Sequence, residues 1–185
     1  MKVEKRWTVS NILSLSRVVL LVPIVVLILR PGTEYRITVL VLMLLAASTD
    51  FFDGLLARAL NQVTDFGRLL DPAADKICIV ITSAALVIAG DMPLWFAGLI
   101  VFRDIVIVIG SALIMSRRRV VVQSVWVGKW TVTLIAGYLI LATLRISSLI
   151  MLKDVFLYLG TLFILMSLAV YTKVYQRYMT GNGSL

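Results

Sequence analysis

The chain of 185 residues contains no histidine and only one cysteine, Cys78. Without histidine, Ser-His and Cys-His catalytic arrangements are excluded, as are histidine-ligated metal sites. A single cysteine cannot form an intramolecular disulfide, and within an apolar run it is most simply a small buried hydrophobe. Charge is scarce as well, since 15% of the residues are charged and 61% are hydrophobic. Soluble domains are closer to half apolar, so the composition indicates an integral membrane protein.

Six apolar runs approach the roughly 20 residues that a helix needs to cross a bilayer. They are Ile12–Leu29, Ile37–Leu56, Pro72–Ala89, Leu94–Met115, Val125–Ile146 and Val155–Tyr171. Short connectors with proline or glycine follow the first and third runs, as expected for turns. We therefore expect an all-α integral membrane protein that is a six-transmembrane-helix bundle. It would form one domain over residues 1–185, with an N-terminal interfacial segment at 1–11, the spans within 12–175 and a tail at 176–185.

Lysine and arginine are distributed unevenly between the two ends of these spans. One end collects the cations of the N-terminal segment, the second and fourth connectors, the start of the fifth span and the C-terminal tail. By the positive-inside rule, this end and both termini face the cytoplasm. We expect the chain to lie in the cytoplasmic (inner) membrane. The net charge of +8 then reflects cytoplasmic loops and contact with anionic lipid, with no nucleic acid as a partner.

Five of the ten acidic residues fall within Thr49–Lys76. Asp50 and Asp53 are three residues apart and Asp71 and Asp75 are four apart, so each pair shares one face of a helix. The connection between the two helices is short, so the pairs can meet. Four carboxylates near hydrocarbon repel each other unless a cation lies between them. An all-oxygen donor set favours Mg²⁺, Mn²⁺ or Ca²⁺, so the sequence predicts a divalent-metal site facing the cytoplasm.

The residues around these aspartates fit a diphosphate ligand. Gly54, Ala57 and Gly67 are small enough for a bulky group to approach the backbone, and the Arg58 guanidinium suits phosphate oxygens. Together with a hard metal, they indicate metal-assisted displacement at phosphorus. The alternative is that the aspartates only cap helices, solvate a loop or pair with Arg58 and Arg68.

The full pattern resembles the signature of the CDP-alcohol phosphotransferases, with every position filled. It reads Asp50-x2-Asp53-Gly54-x2-Ala57-Arg58-x8-Gly67-x3-Asp71-x3-Asp75. The resemblance implies that an alcohol attacks the β-phosphorus of a CDP-linked lipid, that CMP leaves and that a phosphodiester forms. Relatives in this family commonly form homodimers, which the resemblance implies here too.

The same resemblance implies roles for individual residues. One or two Mg²⁺ or Mn²⁺ ions would be held by Asp50, Asp53, Asp71 and Asp75. The catalytic pair would be Asp71 and Asp75, with Asp75 as the general base for the attacking hydroxyl. The CDP group would be surrounded by Asp50, Gly54, Ala57, Arg58 and Gly67. Asp65 is outside the signature, and we interpret it as a solvated loop residue.

The acceptor alcohol is less narrowly indicated. The stretches "SNILSLSRVVLLVPI" and "DFGRLLDPAADK" are similar to the phosphatidylglycerophosphate synthases of this family, which implies glycerol 3-phosphate as acceptor and CDP-diacylglycerol as donor. Arg103-Asp104, followed by an apolar run, is instead similar to the cardiolipin synthases, whose acceptor is phosphatidylglycerol. Inositol phosphate and other alcohols are further alternatives.

A phosphorylated acceptor would need cations beside the metal site. The candidates are Arg103, Arg117, Arg118 and Lys129, with Arg119 completing the run. Each has another explanation: Arg103 pairs with Asp104 or snorkels, and the arginine run serves topology and the lipid surface. Arg17, inside the first span, either faces the site or snorkels to the interface.

Two other classes of membrane protein keep carboxylates within a bundle. Transporters and channels place them near mid-membrane, often at broken helices, whereas here they cluster at one end. Intramembrane prenyltransferases use two well-separated Asp-rich motifs rather than one compact pattern. A catalytically silent family member would not be expected to keep all eight signature residues.

Overall fold

A computed structural model describes residues 9–59, 65–118 and 126–179, and it describes side chains over 16–49, 75–114 and 126–176. The six α-helices formed by these residues are α1 (Val9–Leu29), α2 (Arg36–Ala59), α3 (Asp65–Ile88), α4 (Leu94–Arg118), α5 (Trp126–Leu144) and α6 (Ile150–Met179). A 3₁₀ turn, Ser147–Leu149, precedes α6. The predicted interfacial segment lies almost wholly outside the described residues, as does most of the tail.

Three of the described segments are long and apolar enough to cross a membrane: Leu94–Ile114, Trp126–Leu144 and Ser147–Gln176. Shorter apolar segments cover Ser16–Leu29 and Arg36–Thr49. Large apolar side chains also point outward, and Ile109 on α4 is 54% exposed. Such a surface suits lipid rather than water. The all-helical class is thus confirmed and the three long apolar helices support a membrane protein, while the six-span bundle in a single domain stays a prediction.

The first compact group of helices contains α1, α2 and α3, together with Ala142–Arg145 at the end of α5. Helix α1 packs against both α2 and α3. Its buried residues Leu21, Ile24 and Ile28 recur at helical spacing and form one apolar face. Burial of that face stabilises the group because apolar surface is removed from its surroundings on packing.

One end of this group is closed by a charged cluster around Asp91. Arg36, only 2% exposed, donates from Nη1 to Asp91 Oδ2 at 3.1 Å. Arg145 donates from Nε to the other carboxylate oxygen and from Nη2 to the Ala89 carbonyl at 2.6 Å. Arg145 adopts a left-handed backbone with φ of 51°, just beyond the end of α5. Its two hydrogen bonds offset the cost of that conformation, which is usually reserved for glycine.

The second group contains α4, α5 as far as Leu141, the 3₁₀ turn and α6. Helix α4 packs against α6. Helices α5 and α6 also meet at Thr131, whose hydroxyl oxygen lies 2.7 Å from the Val127 carbonyl oxygen on its own helix and 3.2 Å from that of Phe163 on α6, so its single hydrogen is donated to one of the two. The rings of Phe96 and Tyr138 meet edge to face with centroids 4.9 Å apart, which joins α4 to α5. These contacts give the group an apolar core in which the buried polar side chains are hydrogen-bonded.

Several helices extend beyond the predicted spans. Helix α2 continues to Ala59, α3 begins at Asp65 rather than Pro72, and α6 runs over Ile150–Met179. Hydropathy identifies only the apolar part of a helix. Leucine, alanine, arginine and lysine all have high helix propensity, so the backbone stays helical beyond the end of the apolar run. The interpretation of Asp65 as a loop residue was therefore wrong. Asp65 is the first residue of α3, where a negative charge is favoured by the helix dipole.

Candidate active site

The eight signature residues are divided between two helices that both pack against α1. Helix α2 carries Asp50, Asp53, Gly54, Ala57 and Arg58, and α3 carries Gly67, Asp71 and Asp75. Because both segments are helical, the members of each aspartate pair lie about one turn apart. The stretch between these helices, residues 60–64, lies outside the described residues.

Asp75 is the signature residue whose side chain the structure describes. It is held by Arg17 of α1, which donates from Nη1 to Asp75 Oδ1. The Arg17 side chain is 4% exposed, whereas that of Asp75 is 47% exposed. The predicted base is therefore accessible on one side and fixed by a buried guanidinium on the other. The remaining signature side chains, those of Asp50, Asp53, Gly54, Ala57, Arg58, Gly67 and Asp71, lie outside the part of the chain whose side chains are described.

Arg17 is the site residue that sequence reasoning left undecided. Its burial and its contact with Asp75 show that it faces inward and does not snorkel. The available signal was a lone cation within an otherwise apolar run, which by default indicates a functional position with a nearby partner. The partner itself is 58 residues away in sequence, so no local pattern could identify it.

The carboxylates fit a hard divalent cation. All four predicted ligands offer oxygen atoms only, and they come from two helices that share α1 as a neighbour. Asp75 combines an accessible carboxylate with a fixed orientation, as a metal ligand requires. The donor chemistry therefore agrees with Mg²⁺ or Mn²⁺.

Arg103 lies inside the second group and is 7% exposed. It donates from Nη1 to Asp104 Oδ1 at 2.8 Å and from Nε to Ser167 Oγ at 3.3 Å. The pairing with Asp104 is thus present, and burial excludes snorkelling. At Gly128 of α5, an added Cβ would lie 3.5 Å from Arg103 Nη2 and 3.3 Å from Tyr171 Oη, so glycine lets three helices approach here.

The other cations proposed for the acceptor occupy different surroundings. Lys129 is exposed, and its Nζ lies 5.6 Å from the centroid of the Trp126 ring, in cation–π contact. Its ammonium is therefore directed to Trp126, while Arg103 is directed to Asp104 and Ser167. Arg117 and Arg118 form the last turn of α4, but their side chains lie outside the described part, and Arg119 lies outside the described residues altogether. An acceptor role for these residues stays a prediction.

The comparison with known families decides the broader assignment. The family model for CDP-alcohol phosphatidyltransferase matches residues 7–172. The chain belongs to this family. The match extends from before α1 into α6, far beyond the signature. It confirms the resemblance, which was drawn from the 26 residues Asp50–Asp75.

Curated relatives carry names from two branches of the CDP-alcohol phosphatidyltransferases. A probable phosphatidylglycerophosphate synthase of Mycobacterium tuberculosis is 39% identical over 125 residues, covering 65% of this chain and 58% of the relative. A CDP-diacylglycerol–glycerol-3-phosphate 3-phosphatidyltransferase of Aquifex aeolicus is 37% identical over 126 residues, covering 66% and 68%. A cardiolipin synthase (CMP-forming) of Streptomyces coelicolor is 35% identical over 109 residues, covering 57% and 51%. The chain thus spans about half to three fifths of the length of the Streptomyces and Mycobacterium relatives.

Proposed function

We propose that this protein transfers the phosphatidyl group from CDP-diacylglycerol to glycerol 3-phosphate, releasing CMP and forming phosphatidylglycerophosphate. The observation that carries the proposal is the family match over residues 7–172, together with relatives at 37–39% identity that are named for this reaction. The complete signature on α2 and α3 supplies the residue types that this chemistry needs.

In the proposed mechanism, the Asp75 carboxylate accepts the proton of the glycerol 3-phosphate hydroxyl. The hydroxyl oxygen forms a bond to the β-phosphorus, and the bond from that phosphorus to the bridging oxygen breaks. CMP leaves with the electron pair of the broken bond. Arg17 keeps the Asp75 carboxylate in one orientation, which supports proton transfer because positioning lowers the barrier.

The remaining signature residues bind the donor in this proposal. Asp50, Asp53, Asp71 and Asp75 would hold one or two Mg²⁺ or Mn²⁺ ions. When bound, the ions would neutralise diphosphate charge and polarise its phosphorus–oxygen bonds. Arg58 pairs with a phosphate oxygen, while Gly54, Ala57 and Gly67 leave room for the nucleotide. The candidates for the acceptor phosphate stay those that the sequence predicts: Arg103, Lys129, Arg117 and Arg118.

We further propose that the protein works in the bilayer as a homodimer of six-span chains, with its site facing the cytoplasm of a bacterial inner membrane. The three long apolar helices support the bilayer as its environment. A membrane setting also suits the donor, whose acyl chains remain in lipid while its CDP group reaches the aqueous surface.

The direct test is an assay of purified protein in nanodiscs with CDP-diacylglycerol and radiolabelled glycerol 3-phosphate. We expect labelled lipid and CMP in equal amounts, loss of both with EDTA, and recovery with Mg²⁺ or Mn²⁺. CMP release that requires no acceptor, or activity that survives EDTA, would contradict the proposal. Ion flux without CMP formation would instead support a transporter.

A second candidate is cardiolipin synthesis, with phosphatidylglycerol as acceptor. It is favoured by the Streptomyces coelicolor relative, which is 35% identical and named for that reaction. The same assay with each acceptor separates the two functions. Turnover with phosphatidylglycerol and none with glycerol 3-phosphate would replace the first proposal with this one.

A further inference from the structure

Helices α4 and α6 line a partly open cavity of about 270 Å³ along their C-terminal halves. Its walls run from Val106 to Ile114 on α4 and from Tyr171 to Tyr175 on α6. The lining is mostly apolar, with Ser111 and hydroxyl groups of α6 as the polar exceptions. In other proteins, an apolar cavity of roughly 150 Å³ already holds a molecule the size of benzene. This cavity therefore has room for several methylene groups of a hydrocarbon chain.

The space depends in part on Gly110 in the α4 wall. A Cβ added at Gly110 would meet nothing within 4 Å. Gly110 lies between Ile107 and Ile114, which are three and four residues away and line the same cavity. A larger side chain at this position would thus extend into the cavity rather than into a neighbouring helix.

One described cation, Lys173 of α6, lies beside the end of the cavity that is nearest the C-termini of both helices. Helix α4 ends at Arg118, which is about 6 Å beyond Ile114 along the helix axis. On α6, Lys173 is exposed and lies between two residues that line the cavity, Thr172 and Val174. The apolar cavity is therefore adjacent to a positive charge on α6, and the α4 backbone ends on an arginine about one turn beyond it.

The apolar lining and the adjacent positive charge together indicate which kind of molecule binds in the cavity. The two helices belong to segments long and apolar enough to cross a membrane, where phospholipid would surround them. A small polar molecule would lose its hydrogen bonds to water against these apolar walls. A phospholipid with a negative head group would place hydrocarbon in the cavity and its phosphate beside the cations. We propose that the α4–α6 cavity binds an acyl chain of an anionic phospholipid of the bilayer, whose phosphate lies beside Lys173 and the end of α4.

The test uses protein in nanodiscs that contain phosphatidylglycerol with a photoactivatable diazirine in one acyl chain. We expect the label on peptides that contain Val106–Ile114 or Tyr171–Tyr175. The variant Gly110→Leu fills the cavity and should lower this labelling at least fivefold. Gly98→Leu is the matched control, because it makes the same change on α4 at an open position outside the cavity lining. Equal labelling of the two variants would overturn the proposal.

A second comparison examines the head group. Phosphatidylcholine with the same diazirine chain should label these peptides less than phosphatidylglycerol does. Lys173→Gln should lower this preference for phosphatidylglycerol about fivefold, which is the typical effect of one cation near an anionic lipid surface. Lys153→Gln, near the start of α6, should not change it. Equal labelling by both lipids in the wild-type protein would refute an anionic ligand.

Two further results keep the test decisive. Unlabelled phosphatidylglycerol should compete with the probe in the wild-type protein, and failure to compete would overturn the proposal. This measurement gives an answer even if Gly110→Leu does not fold. Labelling by a diazirine analogue of CDP-diacylglycerol, with none by phosphatidylglycerol, would assign the cavity to a nucleotide-linked lipid and also overturn it. The inference does not depend on the proposed transfer reaction, because no readout requires turnover.

Discussion

Asp75 and Arg17 illustrate how one contact between distant residues defines a site. The Arg17 guanidinium is almost completely buried, and an arginine in that position is costly unless a carboxylate compensates its charge. Asp75 supplies that carboxylate and remains 47% exposed. The contact therefore serves both partners, since it compensates the buried cation and restricts the orientation of the accessible acid.

Replacing Asp75 by asparagine should remove the proton acceptor while keeping the size of the side chain. We expect turnover to fall by roughly 10²–10⁴-fold, the usual contribution of a general base, with binding of CDP-diacylglycerol partly retained. CMP release and donor binding should be measured on the same preparation. Asp65→Asn, at the start of α3 and outside the signature, is the control that should keep wild-type turnover. A fully active Asp75→Asn protein would remove this residue as the base.

Replacing Arg17 by alanine should leave Asp75 in place but without its fixed orientation. We expect kcat to fall about 10²-fold, because misplacement of a reacting group costs on this order, while the KM for glycerol 3-phosphate changes little. Arg30→Ala provides a matched control: Arg30 is exposed near the end of α1 and its guanidinium lies 5.4 Å from the Tyr35 ring. If both variants lose kcat equally, the effect belongs to α1 in general and not to the contact with Asp75.

At the scale of single helices, the apolar runs predicted the existence and order of all six. The boundaries were less predictable, because hydropathy falls at Arg58 and Asp65 although the backbone remains helical there. Pro72 begins the third predicted span because the apolar run begins there. In the structure Pro72 lies inside α3, whose first residue is Asp65, so the helix begins before the apolar run does.

Packing between α5 and α6 depends on Gly137, which faces the Phe156 ring closely enough that an added Cβ would clash with it. We expect Gly137→Ala to lower the free energy of unfolding by about 1–3 kcal/mol, a typical cost of overpacking. Gly98→Ala should leave it unchanged or raise it by up to about 1 kcal/mol, since its Cβ meets nothing within 4 Å and alanine favours helix.

Both Gly→Ala changes can be measured by unfolding in mixed micelles of SDS and a mild detergent. Adding Phe156→Leu to Gly137→Ala should restore part of the lost stability, because the smaller side chain makes room for the methyl group. No recovery in the double variant would show that the cost of Gly137→Ala arises elsewhere.

The charged cluster around Asp91 should contribute strongly to the stability of the first helical group. Asp91→Ala leaves Arg36 buried without its carboxylate, and breaking a buried pair in this way typically costs about 3–5 kcal/mol. Asp154→Ala, on α6, removes an acid for which the described residues provide no ion pair and should cost little. Similar unfolding midpoints for the two variants in the same detergent would show that the cluster is not stabilising.

At the scale of the whole molecule, the sequence predicted the family and the signature, because those are patterns of neighbouring residues. The contacts that link separate helices could not be predicted. Arg103 and Ser167 are 64 residues apart, and Arg36 and Asp91 are 55 apart. Such pairs follow from how helices pack against each other. Helix packing depends on the shapes of side-chain surfaces, which cannot be read from the pattern of a single sequence.

The predicted orientation can be tested on whole cells with a maleimide that does not cross membranes. In a Cys78→Ser background, Thr33→Cys between α1 and α2 should react in intact cells. Gln176→Cys, at the exposed end of α6, should react only after permeabilisation. Thr143→Cys, which is fully buried, is the control that should not react under either condition. The reverse pattern for the first two variants would place the termini outside.

The charged cluster also bears on the order in which the nascent chain is completed. Arg36 and Asp91 are synthesised early, whereas Arg145 emerges from the ribosome more than fifty residues after Asp91. Until then, the carboxylate can bind only one of its two arginines, and the group formed by α1, α2 and α3 lacks the segment Ala142–Arg145 that completes it. The N-terminal half of this protein therefore matures only once its fifth helix has been translated.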